Sequence, residues 1–81
     1  MKKVVNVKVN LQPLIREKSM KMYNSPDKLS QKDIALETGI PQGTLSRWIN
    51  GKVDSYKGDI LGQLMQYFEC DIQDLFEVEY E

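Results

Sequence analysis

The sequence predicts an all-α, five-helix domain whose short N- and C-terminal strands are suited to pair. Three observations predict it. Apolar residues recur at helical spacing through residues 11–76, stop signals at Gly39 and Asn50-Gly51 divide that run into short helices, and valines alternate with polar residues at the two ends.

Lys-Val-Val-Asn-Val-Lys-Val over 3–9 alternates Val5, Val7 and Val9 with Asn6 and Lys8, the period of a half-buried strand. At Asn10 the period changes. Leu11, Leu14 and Ile15 start a helical stripe that Met22 extends, Pro13 suits an early turn and Asn10 a cap, so the first helix spans 11–23. Asn24-Ser25-Pro26-Asp27 ends it. Ser30 followed by Asp33 forms a capping-box pattern, and Gly39 supplies a left-handed stop, which bounds a second helix at 31–38. Pro41 opens a third helix that runs to Asn50, with 52–57 as a polar connector. Ile60, Leu61, Leu64, Met65 and Phe68 make one stripe of a fourth helix. Ile72, Leu75 and Phe76 keep helical spacing in a short fifth. The run 76–81 then returns to strict alternation, a strand whose Glu77, Glu79 and Glu81 would face Lys2, Lys3 and Lys8 of the first. Met20, Met22 and Met65 are expected to fill the core or its edges, and Cys70 to be a small buried apolar residue.

An 81-residue chain with 41% hydrophobic content builds one modest core, hence a single domain, 1–81. Its longest apolar runs are two or three residues, so no membrane span or signal peptide is expected, and a cytoplasmic location is. One cysteine and no histidine leave no internal disulfide, no usual zinc ligand set and no common general base. Neither an enzyme nor a cofactor is expected. The net charge of −1 conceals a division. Residues 1–57 hold all eleven Lys and Arg against five acids, a net of +6, whereas 58–81 hold seven acids and no base, −7. That is the distribution of a molecule with one basic working face and an acidic remote end.

Residues 31–50 meet the demands of two helices crossing steeply through a tight turn. Ala35 is small where the helices approach, Gly39 takes the turn, and Ile34, Ile40, Leu45 and Trp48 point inward. Gln42, Gly43, Thr44, Ser46 and Arg47 are left on the outer face, short or able to hydrogen-bond, as a surface that reads a nucleic-acid groove requires.

The segment Leu29–Lys52 resembles the Cro- and lambda-repressor-like helix-turn-helix family, also called the xenobiotic-response-element family. Asn50-Gly51-Lys52, Ile60-Leu61, Leu64, Phe68-Glu69-Cys70-Asp71 and Asp74-Leu75 extend the likeness to a compact single-domain subgroup. Gly43 and Gly58 depart from it, where relatives often carry longer side chains, as does Trp48, where an aliphatic residue is commoner. The resemblance implies a five-helix lambda-repressor-like domain that binds double-stranded DNA as a homodimer, a transcriptional regulator expected to repress. It assigns Gln31 a phosphate contact, which a helix N-terminus also favours. Gln42 would pair with adenine and Arg47 with guanine, while Gly43, Thr44 and Ser46 complete the reading face. Asn50, Lys52 and Lys57, joined by Tyr56, would hold the DNA backbone. The competing reading is a protein-interaction module, an antitoxin or anti-repressor, docking through its acidic C-terminal region.

Overall fold

A computed structural model describes residues 2–53 and 55–81. The order is β1 (Val4–Val9), α1 (Gln12–Tyr23), α2 (Gln31–Thr38), α3 (Gln42–Ile49), α4 (Gly58–Phe68), a 3-10 turn (Ile72–Leu75) and β2 (Phe76–Tyr80). Every element contributes to the core, β2 through the partly buried Phe76, and Leu11, just ahead of α1, joins them. Ile34, Leu45, Leu64 and Leu75 are wholly enclosed, with Val9, Ile15, Leu29, Ile40, Trp48 and Ile49 around them.

Local signals fix the helix ends. The Ser30 hydroxyl accepts the Asp33 N–H at 3.2 Å and the Asp33 carboxylate accepts the Ser30 N–H at 3.3 Å, so two of the orphan donors at the start of α2 are satisfied. Gly39 ends α2 at φ +79°, its N–H bonded to the Ala35 carbonyl at 2.9 Å. A side chain there would be strained. Thr38 braces the same turn: its hydroxyl donates to the Ile34 carbonyl at 2.7 Å and accepts the Ile40 N–H at 3.2 Å.

Among the described residues Ser19 is the one polar side chain buried outright. Its hydroxyl donates to the Ser25 carbonyl and accepts the N–H groups of Lys28 and Leu29 at 3.1 and 3.0 Å. One hydroxyl on α1 thereby satisfies the backbone of the loop that delivers α2, where an unpaired buried group would be costly.

Four expectations are corrected. No fifth α-helix forms; Ile72–Leu75 is a single 3-10 turn held by reciprocal Asp71 and Asp74 caps. Only four residues separate Asp71 from β2, too few to offset the cost of nucleating an α-helix, and Phe76 pairs with Val9 instead. Met20 and Met22 are exposed, because the buried face of α1 runs through Ile15 and ends at Ser19. Met65 does pack against the core. The cap of α1 is Leu11; Asn10 assists it, its side-chain oxygen accepting the Gln12 N–H at 3.3 Å. Within β1 only Val9 is buried, and Val5 is 60% exposed.

The terminal strands pair within the chain, antiparallel, with Val9 opposite Phe76, Lys8 opposite Glu77, Val7 opposite Val78 and Asn6 opposite Glu79. A register shift between Val4 and Asn6 sets Val4 opposite Tyr80. Of the expected ion pairs, Lys8 meets Glu79 at 2.8 Å; among the described residues none forms at Lys2 or Lys3. No helix of the described residues is long and apolar enough to cross a membrane.

Candidate nucleic-acid interface

The amphipathicity of α3 follows from its helical period. Leu45, Trp48 and Ile49 are buried, while Gln42, Gly43, Arg47 and Asn50 are exposed and Thr44 and Ser46 half-covered. At 100° per residue, Gly43, Ser46, Arg47 and Asn50 form the middle of the outward strip, with Gln42 at one flank and Thr44 at the other. Eight residues make a helix about 12 Å long, commensurate with the width of a DNA major groove. The N-terminus of α3 has no side-chain cap, which leaves its first N–H groups to outside acceptors. At the other end Asn50 donates its side-chain amide to the Ser46 hydroxyl at 3.3 Å.

Gly43 stands in this strip with ordinary helical backbone, and a Cβ built on it would meet nothing within 4 Å. Packing does not demand a glycine. What its absence of side chain provides is clearance at the centre of the exposed face.

Beside α3 lies an open cleft of about 400 Å³, walled by α3, the connector and the start of α4. Thr44, Arg47, Lys52 and Lys57 line it, three of them cationic, together with Ser55. Neither of the two ion pairs among the described residues uses these cations. Asp59, in the first turn of α4, is an acid in the same wall, where it complements the positive end of its helix. Gly51 at φ +70° turns the chain from α3 into this connector, and the Lys52 N–H returns to the Arg47 carbonyl at 2.9 Å, fixing the start of the lysine-bearing segment.

The structure thus groups Gln42, Gly43, Ser46, Arg47 and Asn50 on one helix face and Thr44, Arg47, Lys52 and Lys57 around the adjoining cleft. Arg47 belongs to both. Gln31 does not line the cleft and is half-buried in the first turn of α2. Tyr56 also has a packing role that the sequence did not suggest. Its ring stands edge-on between Trp48 (5.4 Å between centroids) and Phe76 (5.2 Å), so it braces the back of α3 against the root of β2. Sequence reasoning missed Ser55, whose place in the wall depends on the path of the connector. It also missed that brace, since Tyr56 and Phe76 lie in different periodic runs.

A helix-turn-helix with this outward strip, followed by a cationic connector, matches a known pattern. A family model for the Cro/C1-type HTH DNA-binding domain matches residues 10–81. The chain belongs to that family. The match covers all four helices and β2, and leaves only β1 and the residues before it outside. No curated protein and no solved structure gives a significant match.

The remaining contacts of this Cro/C1-type domain hold the frame behind the strip. Tyr67 of α4 donates its hydroxyl to the Glu37 carboxylate on α2, and Lys18 of α1 sits 4.1 Å above the Tyr67 ring while its ammonium donates to the Tyr67 carbonyl at 2.8 Å. Three helices meet at one tyrosine. Burial, and secondarily the Glu37 carboxylate, push the Tyr67 phenol well above its usual range. Cys70 is partly covered, and burial together with Asp74 and Asp71 raises its thiol as well, which disfavours the thiolate form.

Proposed function

We propose that the chain is a sequence-specific regulator of transcription, acting as a repressor in the cytoplasm, and that it reads duplex DNA as a homodimer with α3 in the major groove of each half-site. The observation that carries this reading is the α3 strip with Arg47 at its junction with a cationic cleft. In this arrangement Gln42 pairs with adenine and Arg47 with guanine, each bidentate, while Thr44 and Ser46 make shorter contacts and Gly43 admits the base edges closely. Gln31, Asn50, Lys52 and Lys57 hold phosphates on either side and fix the register. Two copies are invoked because a single module of this size touches too few base pairs for strong selectivity.

Selection of sites from a random duplex pool, followed by titration at several salt concentrations, tests the reading. A repeated motif and a steep fall of affinity with salt are expected, since each neutralised phosphate contributes about 0.9 to the logarithmic slope. A pool with no motif and binding indifferent to salt would instead favour the protein-interaction module docking through its acidic C-terminal region.

A further inference from the structure

The β1–β2 ribbon carries the regular alternation of a sheet with one covered face. In that register Val9 and Phe76 share a side with Val7 and Val78, and Val4 and Tyr80 follow on the same side beyond them. Asn6, Lys8, Glu77 and Glu79 occupy the other side, where Lys8 pairs with Glu79. The domain core covers only the first apolar pair. Beyond it Val7 is 48% exposed, Val78 39% and Tyr80 56%, with Val4 and Val5 more than half exposed.

The bare face sets Val4, Val7, Val78 and Tyr80 side by side in water, a contiguous apolar patch of the kind that marks an interaction site. We propose that this face is the contact through which a second copy of the chain docks, ribbon stacked on ribbon. The proposal rests on the homodimer reading above and supplies its surface.

Charge selects the occupant. β1 and the residues before it carry Lys2, Lys3 and Lys8, and β2 with the residue after it carries Glu77, Glu79 and Glu81, so the ribbon is neutral in sum. A second ribbon meets it without net repulsion. With no net positive charge the ribbon has no general attraction for DNA phosphates or anionic lipid.

Charge also selects the mode of contact. A two-fold axis that joined ribbons edge to edge would set β1 against β1 or β2 against β2, opposing lysines with lysines or glutamates with glutamates. Face stacking leaves both charged sides outward and encloses the valines. The stacked area is smaller than the roughly 800 Å² per partner of a standard interface, so the dimer is weak in free solution and tightens when one DNA molecule holds both reading helices. Because Tyr56 ties Phe76 at the ribbon root to Trp48 behind α3, docking of the ribbons also sets how the two α3 helices face the groove.

Sedimentation of the full chain over a wide concentration range, with Val78→Lys and, on the other strand, Val4→Lys, tests this. The wild type should shift toward the dimer as concentration rises. Both variants should stay monomeric and melt as the wild type does, since neither site touches the core. On selected DNA they should keep their affinity for one half-site and lose about tenfold or more on two. A wild type that remains monomeric throughout, or variants that associate as it does, would overturn the proposal. Failure to bind either duplex would instead overturn the DNA reading, and the sedimentation result would still decide the ribbon.

Discussion

The helix-turn-helix of α2 and α3 and the terminal ribbon carry equally regular hydrophobic patterns, yet they end in opposite environments. Ile34 and Leu45 have no exposed surface at all, whereas Val5 and Val7, just as strictly spaced, stand about half in water. Periodicity says which side of an element is apolar. It does not say what covers that side. For α2 and α3 the cover comes from α1, α4 and each other; for the ribbon the domain reaches Val9 and Phe76 and no farther. The first region is finished by its own chain, and the second is not.

The sharpest way to break this contrast is to truncate an apolar residue in each region. Leu45→Ala should destabilise the fold by about 2–5 kcal/mol through lost burial and the cavity left behind. Val7→Ala, measured at a dilution where the chain is monomeric, should stay within about 0.5 kcal/mol. Comparable losses from denaturant melts would show that the ribbon face is covered within the single chain.

A smaller effect concerns the frame behind α2. The Tyr67 phenol is raised from 10.0 by burial and by Glu37, so its contribution is fully present below pH 10 and is lost as the pH climbs from there toward the folded value. Wild-type melting temperature should therefore fall more steeply above pH 10 than that of Tyr67→Phe. Parallel curves would mean that the Tyr67–Glu37 contact does not anchor α2 to α4.

The smallest stability effect expected is at Gly43, and it carries the opposite sign. With open space around its Cβ position and ordinary helical φ, Gly43→Ala should raise stability by roughly 0.5 kcal/mol while weakening binding to a selected site. A melt that shows destabilisation would make Gly43 a structural glycine after all.

Much of this was legible because the signals were local. Ser30 and Asp33 lie within one helical turn, Gly39 reports its own backbone angle, and Ile34, Leu45 and Trp48 follow from a period of 3.6, so α2, its turn and the outward strip of α3 could be read directly. The misreadings needed knowledge of distant elements. Phe76 fits both a helical and an alternating period, and only its partner Val9, at the other end of the chain, decides for the strand. Ser19 looks like an ordinary helix-surface serine until the 24–29 loop folds over it. Met22 stands in phase with Ile15, but the core ends a turn earlier. Lys3 lies level with Glu81, whose N–H bonds to its carbonyl at 2.9 Å, yet among the described residues only Lys8 of the three lysines forms an ion pair, with Glu79.

In the proposed mode of binding the outward strip of α3 reads bases while the connector holds phosphates. Its most direct test is the binding of Arg47→Ala and Lys52→Ala to the selected site and to each of its single-base variants. Arg47→Ala should weaken the selected site by about 1–3 kcal/mol and flatten the preference at one base pair, whereas Lys52→Ala should weaken every duplex alike and lower the salt slope by about one. Arg47→Ala weakening all sequences equally, with every base preference intact, would contradict the account.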